Sequence, residues 1–169
     1  MAIKHHGFHE KLNSVKDLEP FVAEQLKQNY KGFENITMAD YVKGGADTKC
    51  SMCGNYLAEI KIDFTAYDNH FVEKWSDLER KKPGGPYQYS FVKYYVYFYT
   101  VTQKLHIFEP NTLIKFIDAI PQIDKIWGKK VFQKGADYKT FGYAIPKIIL
   151  NHLDLADTLL IDKKLIDTK

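Results

Sequence analysis

Residues 46–64 read ADTKCSMCGNYLAEIKIDF, and the alternation in their second half decides the fold. On an extended chain successive side chains point to opposite faces, so Leu57, Glu59, Lys61 and Asp63 share one side while Ala58, Ile60, Ile62 and Phe64 share the other. That is a strand over 56–64 with one apolar and one charged face. The preceding CSMCGN, residues 50–55, reads as a turn, and 36–41 and 46–49 read as extended, with Gly44-Gly45 permitting a bend between them.

Upstream, Leu18, Phe21, Val22 and Leu26 recur at helical spacing, which predicts a helix over 18–28 with Asp17 as N-cap and Pro20 in its first turn. Downstream, Phe71, Val72, Trp75 and Leu78 suggest a second helix over 68–82, ended by KPGGP at 82–86. Aromatic and β-branched runs at 89–101 and 105–108 form a hairpin pattern, followed by a helix starting near Asn111. Residues 123–132 read as helical or irregular, 138–145 as a strand and 147–167 as largely helical. The expectation is an α/β chain, a single domain over 1–169 with a mixed central β-sheet flanked by helices.

The 169 residues form a chain long enough to bury a core without disulfide or metal staples. Hydrophobic residues at 45% and charged residues at 27% are globular values and exclude a disordered chain. No apolar run approaches the roughly 20 residues of a membrane span or forms a signal h-region, so a soluble, cytoplasmic protein is expected. A net charge of +3 leans only slightly towards a polyanionic partner.

Candidate chemistry lies in the same opening stretch. Asp47, eleven intervening residues and then Glu59-Ile60-Lys61 allow a hairpin to bring two carboxylates and an ammonium to one spot. Paired carboxylates suit Mg²⁺, which binds through one or two of them and keeps waters and substrate phosphate oxygens as further ligands. The lysine can orient or deprotonate a water, or stabilise charge building on a phosphoryl group. Asp40 also has spacing suited to the first carboxylate. The same alternation equally describes the solvated face of an edge strand, with Glu59 and Lys61 paired across it.

The spacing Asp-x11-Glu-x-Lys behind a short amphipathic helix resembles the core of the PD-(D/E)XK nucleases, which include restriction endonucleases and Holliday-junction resolvases. The resemblance covers residues 15–64, and Ala46 stands where many members have proline. It implies a restriction-endonuclease-like core and Mg²⁺- or Mn²⁺-dependent hydrolysis of DNA, with Asp47 and Glu59 as metal ligands and Lys61 as the water or transition-state partner. It also implies an auxiliary acid on the first helix, for which Glu19 stands at the border of the apolar stripe and Glu24 points away. A homodimer would follow where two strands are cut. An RNA-directed or structure-specific nuclease on the same site, or a non-catalytic nucleic-acid-binding or interaction protein of the same fold, are the alternatives.

Two other features carry weaker chemistry. Cys50 and Cys53 form half of a zinc site that would need further ligands, such as His70 or His5, His6 and His9, and otherwise make a reactive thiol pair or an ordinary turn. Arg80, Lys81 and Lys82 beside the glycine-rich loop suit phosphate contact or form a solvated element end. The tyrosines at 87–99 could stack on bases, although alternation makes most of them core.

Overall fold

The computed structural model describes residues 8–40, 43, 45–132 and 138–160, with side chains from residue 15 onward. Helix α1 (Phe8–Asn29) is followed by the strands β1 (Ile36–Met38), β2 (Thr48–Cys50) and β3 (Tyr56–Asp63), an antiparallel meander. The chain then leaves this sheet through β4 (Asn69–Asp77), β5 (Lys82–Pro83) and the one-turn helix α2 (Gly85–Gln88). It returns as β6 (Tyr94–Tyr99), parallel to β3, and turns back as β7 (Lys104–Phe108). After α3 (Pro110–Asp118) and α4 (Ile123–Ile126) come β8 (Gly128–Phe132), β9 (Lys139–Pro146), α5 (Lys147–His152) and β10 (Asp157–Leu160).

The mixed α/β architecture is as expected, but the strands form two sheets rather than one. The larger runs β1-β2-β3-β6-β7-β10 and the smaller β5-β4-β9-β8. Alternation along β6 explains how they are held: Tyr94, Val96 and Phe98 join Val22, Leu26, Ala58 and Ile60 in a core under α1. Tyr95, Tyr97 and Tyr99 face the other way, into a core with Val72, Tyr143 and Ile145 of the smaller sheet and Leu113 and Ile117 of α3. The larger sheet is therefore covered on both faces, and all six residues of β6 are buried.

Four expected elements are corrected, the simplest being 123–132, whose second half is not helical or irregular but the strand β8, paired with β9. Residues 68–82 are not a helix but β4 and the turn into β5, because β4 pairs with β9 through a bulge between Glu73 and Trp75. Val72 lies opposite Tyr143 and Trp75 opposite Phe141, so two residues three apart share a face. That break in a two-residue period imitates helical spacing. The first helix begins at Phe8, so Pro20 lies in its interior and Asp17 is not its cap. Of 147–167 only Lys147–His152 is helical; a turn through Asp154, at φ 49°, leads into β10, whose Leu159 packs on the core. Residues 161–167 lie outside the described ones, as does Gly44.

Within the smaller sheet β4 and β9 approach closely. A Cβ added at Gly142 of β9 would lie 2.4 Å from the Val72 carbonyl oxygen and 2.8 Å from the Phe71 ring. Gly142→Ala must push β9 from β4 and is expected to cost roughly 1–3 kcal/mol, read as a lower melting temperature; an unchanged melt would show that β4 yields freely. His70 is fully buried against Tyr97 and Phe108 and shares a hydrogen bond with the Tyr99 hydroxyl. Burial holds its pKa well below the ordinary histidine value, so it is a neutral core residue. Among the described residues no helix is long and apolar enough to cross a membrane.

Candidate active site

Asp47 precedes β2, where the backbone ladder to β3 is irregular. Side chains take over its hydrogen bonds there: the Ile60 N–H donates to Asp47 Oδ2 at 2.7 Å, and the Ala58 N–H donates to Thr48 Oγ1 at 2.9 Å. The Thr48 hydroxyl in turn donates to the Ala58 carbonyl at 3.0 Å. One carboxylate oxygen of Asp47 is thus fixed to the backbone between Glu59 and Lys61. The Ala39 N–H, donating to the Asp47 carbonyl at 2.8 Å, holds the residue from its other side.

Glu59 and Lys61 belong to the face of β3 that looks towards the smaller sheet, because parallel pairing sets them beside Tyr95 and Tyr97. Glu59 is only 2% exposed, so this is no solvated face. Its Oε1 accepts a hydrogen bond from Lys61 Nζ at 2.5 Å, and the Lys61 side chain is still 43% exposed. The ammonium also stands 5.4 Å from the centre of the Tyr89 ring, whose hydroxyl is held above its ordinary pKa first by burial and then by the neighbouring Glu59 charge.

The electrostatics follow from this crowding. Burial raises the Glu59 carboxyl to about 7; Lys61 opposes the shift, and the neighbouring Asp47 carboxylate adds to it. Burial likewise raises Glu19, on α1, to about 7, with Asp47 adding and Lys61 opposing. For Lys61 burial acts downward, but Glu59 outweighs it and holds the ammonium above its ordinary pKa. Glu19, Asp47, Glu59 and Lys61 therefore form one mutually interacting set. Glu24 is exposed and accepts the Gln28 side-chain amide at 2.6 Å. Asp40 is exposed beyond β1 and has no part in the electrostatics of Glu59.

Two further residues, Glu73 and Tyr89, join this set in a way that spacing alone does not show. Glu73 of β4 is half-buried, and burial raises its carboxyl while Lys61 and the Gly85 N–H oppose the shift. Gly84 and Gly85 fold over it: a Cβ at Gly84 would lie 2.4 Å from Glu73 Oε2, and Gly85 has φ +48°. Gly84-Gly85 is visible in the sequence, but its pairing with an acid eleven residues upstream is not, because 68–82 carries helical spacing. Tyr89, by contrast, carries no periodic mark.

Arg80, Lys81 and Lys82 lie elsewhere, at the turn from β4 to β5, and none enters the electrostatics of Glu59, Lys61 or Glu73. Arg80 bonds Asp77 at 3.4 Å with a side chain that is 85% exposed. Cys50 and Cys53 are free thiols in the β2–β3 turn, where the Cys53 N–H donates to Cys50 Sγ at 3.4 Å. Hydrogen bonds from Cys53, first from its side chain, pull the Cys50 thiol below its ordinary pKa. His70 is in the core between the sheets and is no ligand to them. His5, His6 and the side chain of His9 lie outside the described residues.

Among the described residues no group of three His, Cys, Asp or Glu side chains is gathered closely enough to hold an ion by itself. A hard ion that keeps waters and substrate oxygens as ligands needs only one or two carboxylates. Asp47 and Glu59 are the two carboxylates that could serve such an ion: burial and the neighbouring Asp47 charge drive Glu59 to retain a proton, and a bound cation would neutralise the same charge. Comparison of the chain with family models, curated proteins and solved structures finds no match.

Proposed function

We propose that the chain is a metal-dependent nuclease of the PD-(D/E)XK type, built on a restriction-endonuclease-like core and hydrolysing the phosphodiester bonds of DNA. The observation that carries this reading is the buried Glu59 carboxyl wedged between the Asp47 carboxylate and the Lys61 ammonium. A structural salt bridge has no use for a second acid. Burying two carboxylates around one lysine costs stability, and perturbed groups of this kind cluster at functional sites.

Asp47 and Glu59 would hold Mg²⁺ or Mn²⁺, which when bound supplies neutralisation of phosphoryl charge and a more acidic water. The chain's own groups do the rest. The Ile60 N–H keeps Asp47 oriented, so its carboxylate does not have to be ordered when substrate arrives. Lys61 is held protonated, so it serves as a donor to a phosphate oxygen or a water rather than as a base. Glu19, near neutrality in its pKa, is suited to accept a proton from a water at the edge of the site. Arg80, Lys81 and Lys82 would contact flanking phosphates, and a homodimer would cut both strands.

Plasmid and oligonucleotide DNA should be cleaved with Mg²⁺ and left intact with chelator; cutting that survives chelation would exclude the reading. The pH dependence has a defined sign. Glu59 and Glu19 take up protons as pH falls through about 7, and a proton competes with the cation. At subsaturating Mg²⁺ the rate should fall by roughly ten- to a hundredfold per pH unit below 7, about a factor of ten for each carboxyl that must be ionised, with the midpoint moving lower as Mg²⁺ is raised. A flat profile between pH 5.5 and 8.5 at low Mg²⁺ would remove Glu59 as a ligand.

A further inference from the structure

Between the end of β3 and the start of β4 lies an open cleft of about 560 Å³. It is lined by aromatic rings from two strands, β4 and β6, and the segment after β3: Phe64, Phe71, Tyr95 and Tyr97. Phe64 and Phe71 are half-buried, each with part of its surface accessible, while Tyr95 and Tyr97 are buried. The Tyr97 hydroxyl donates to the Phe71 carbonyl at 3.2 Å, which ties β4 to the larger sheet beside the cleft. The cleft is continuous with the site already described, because Lys61 is one of its lining residues.

Its polar groups are divided by sign. Lys61 supplies the cation, and Asp63 and Glu73 supply carboxylates. Asp63 Oδ1 accepts the Thr65 N–H at 2.7 Å, and a carboxylate has room for further N–H donors. A simple anion would meet two acids here, and an uncharged acyl chain would leave all three charges unpartnered. One nucleotide presents all three complements: a phosphate for Lys61, a flat ring for the phenylalanines, and ring or amino N–H groups for the carboxylates. The space is within the roughly 300–1,000 Å³ of pockets that hold ligands of that size.

We infer that this cleft receives one unpaired nucleobase of the substrate strand, stacked against Phe64 and Phe71, with the adjoining phosphate at Lys61. The inference rests on the nuclease reading and narrows it. A base within an intact duplex is stacked and paired and cannot enter the cleft unless it is extruded, at a cost that single strands escape. The preferred substrate is then a single-stranded or locally unpaired segment.

The test uses an oligonucleotide containing 2-aminopurine, a fluorescent base with an exocyclic amine that is quenched by stacking. Full-length Asp47→Asn protein in Mg²⁺ allows binding to be read without turnover. Single-stranded probe should bind, by anisotropy, and lose fluorescence at saturation, whereas the same base inside a duplex should bind more weakly. Phe64→Ala and Phe71→Ala should each weaken single-strand binding by roughly tenfold and restore fluorescence at saturation. Phe64 lies beyond the end of β3, so its variant remains informative even where Phe71→Ala disturbs β4. Saturation without quenching, or quenching that both variants keep, overturns the base pocket. If the unsubstituted protein nevertheless cuts DNA with Mg²⁺, the nuclease reading survives that failure; if it cuts no polynucleotide, both fall together.

Discussion

Glu59→Gln should abolish cleavage and at the same time make the protein harder to unfold at pH 8. The carboxyl titrates at about 7 in the folded chain and near 4.5 in the unfolded one, chiefly because burial penalises its charge. Below 4.5 both states hold the proton and nothing is lost. As pH rises from 4.5 through 7 the unfolded state sheds its proton first, so folding stability falls across that window. Above it the full penalty stands, about 3 kcal/mol from a shift of this size. A neutral amide of the same shape removes that penalty, which should raise the melting temperature at pH 8 by roughly 5–10 °C for a chain of this length.

The accompanying loss of activity should be about a thousandfold or more, since the amide neither attracts the cation nor pairs with Lys61. Added Mg²⁺ should stabilise the unsubstituted protein and leave the variant unmoved, because only the former gains from binding. A melt at pH 8 with and without Mg²⁺ checks both halves. Equal or lower stability of the variant in the absence of metal would mean that Glu59 is a structural ion-pair partner, and the site assignment would fail with it.

Lys61→Ala is the second large effect. The ammonium is held protonated by Glu59, so its removal deletes a charge donor and not a proton acceptor. The rate at saturating substrate and metal should drop by roughly 10²–10³-fold. A second consequence separates this role from mere packing. Lys61 opposes the rise of the Glu59 pKa, so without it that pKa climbs further and the pH midpoint at low Mg²⁺ moves above 7. A variant that cuts at the normal rate, or one that loses rate with its midpoint in place, would take Lys61 out of the site.

The strand at 56–64 could be read directly, because a charged face alternating with an apolar one is a local property of the chain. The grouping of Asp47 with Glu59 and Lys61 was nearly as legible, since a hairpin was all that the spacing required. The burial of that group was not. Charged alternation suggests a wet face, and only the smaller sheet standing over β3 and β6 makes Glu59 a buried acid. The bulge at Glu73 and Trp75 hid β4 for a related reason: side-chain period is set by pairing with β9, whose partners Gly142 and Phe141 lie 69 and 66 residues further along the chain, and pairing can insert a residue that local spacing cannot reveal.

By itself the sequence determined the local periods: α1 in outline, the β3 strand, the β6–β7 hairpin, and the few polar side chains able to meet at one point. The tertiary structure decided the second sheet, the inclusion of Glu73 and Tyr89, and the pKa values that set the acids apart. The physical reason is a difference of range. Alternation and capping act between residues a few positions apart, whereas dielectric environment and strand register depend on partners that the chain brings together only after long loops have closed.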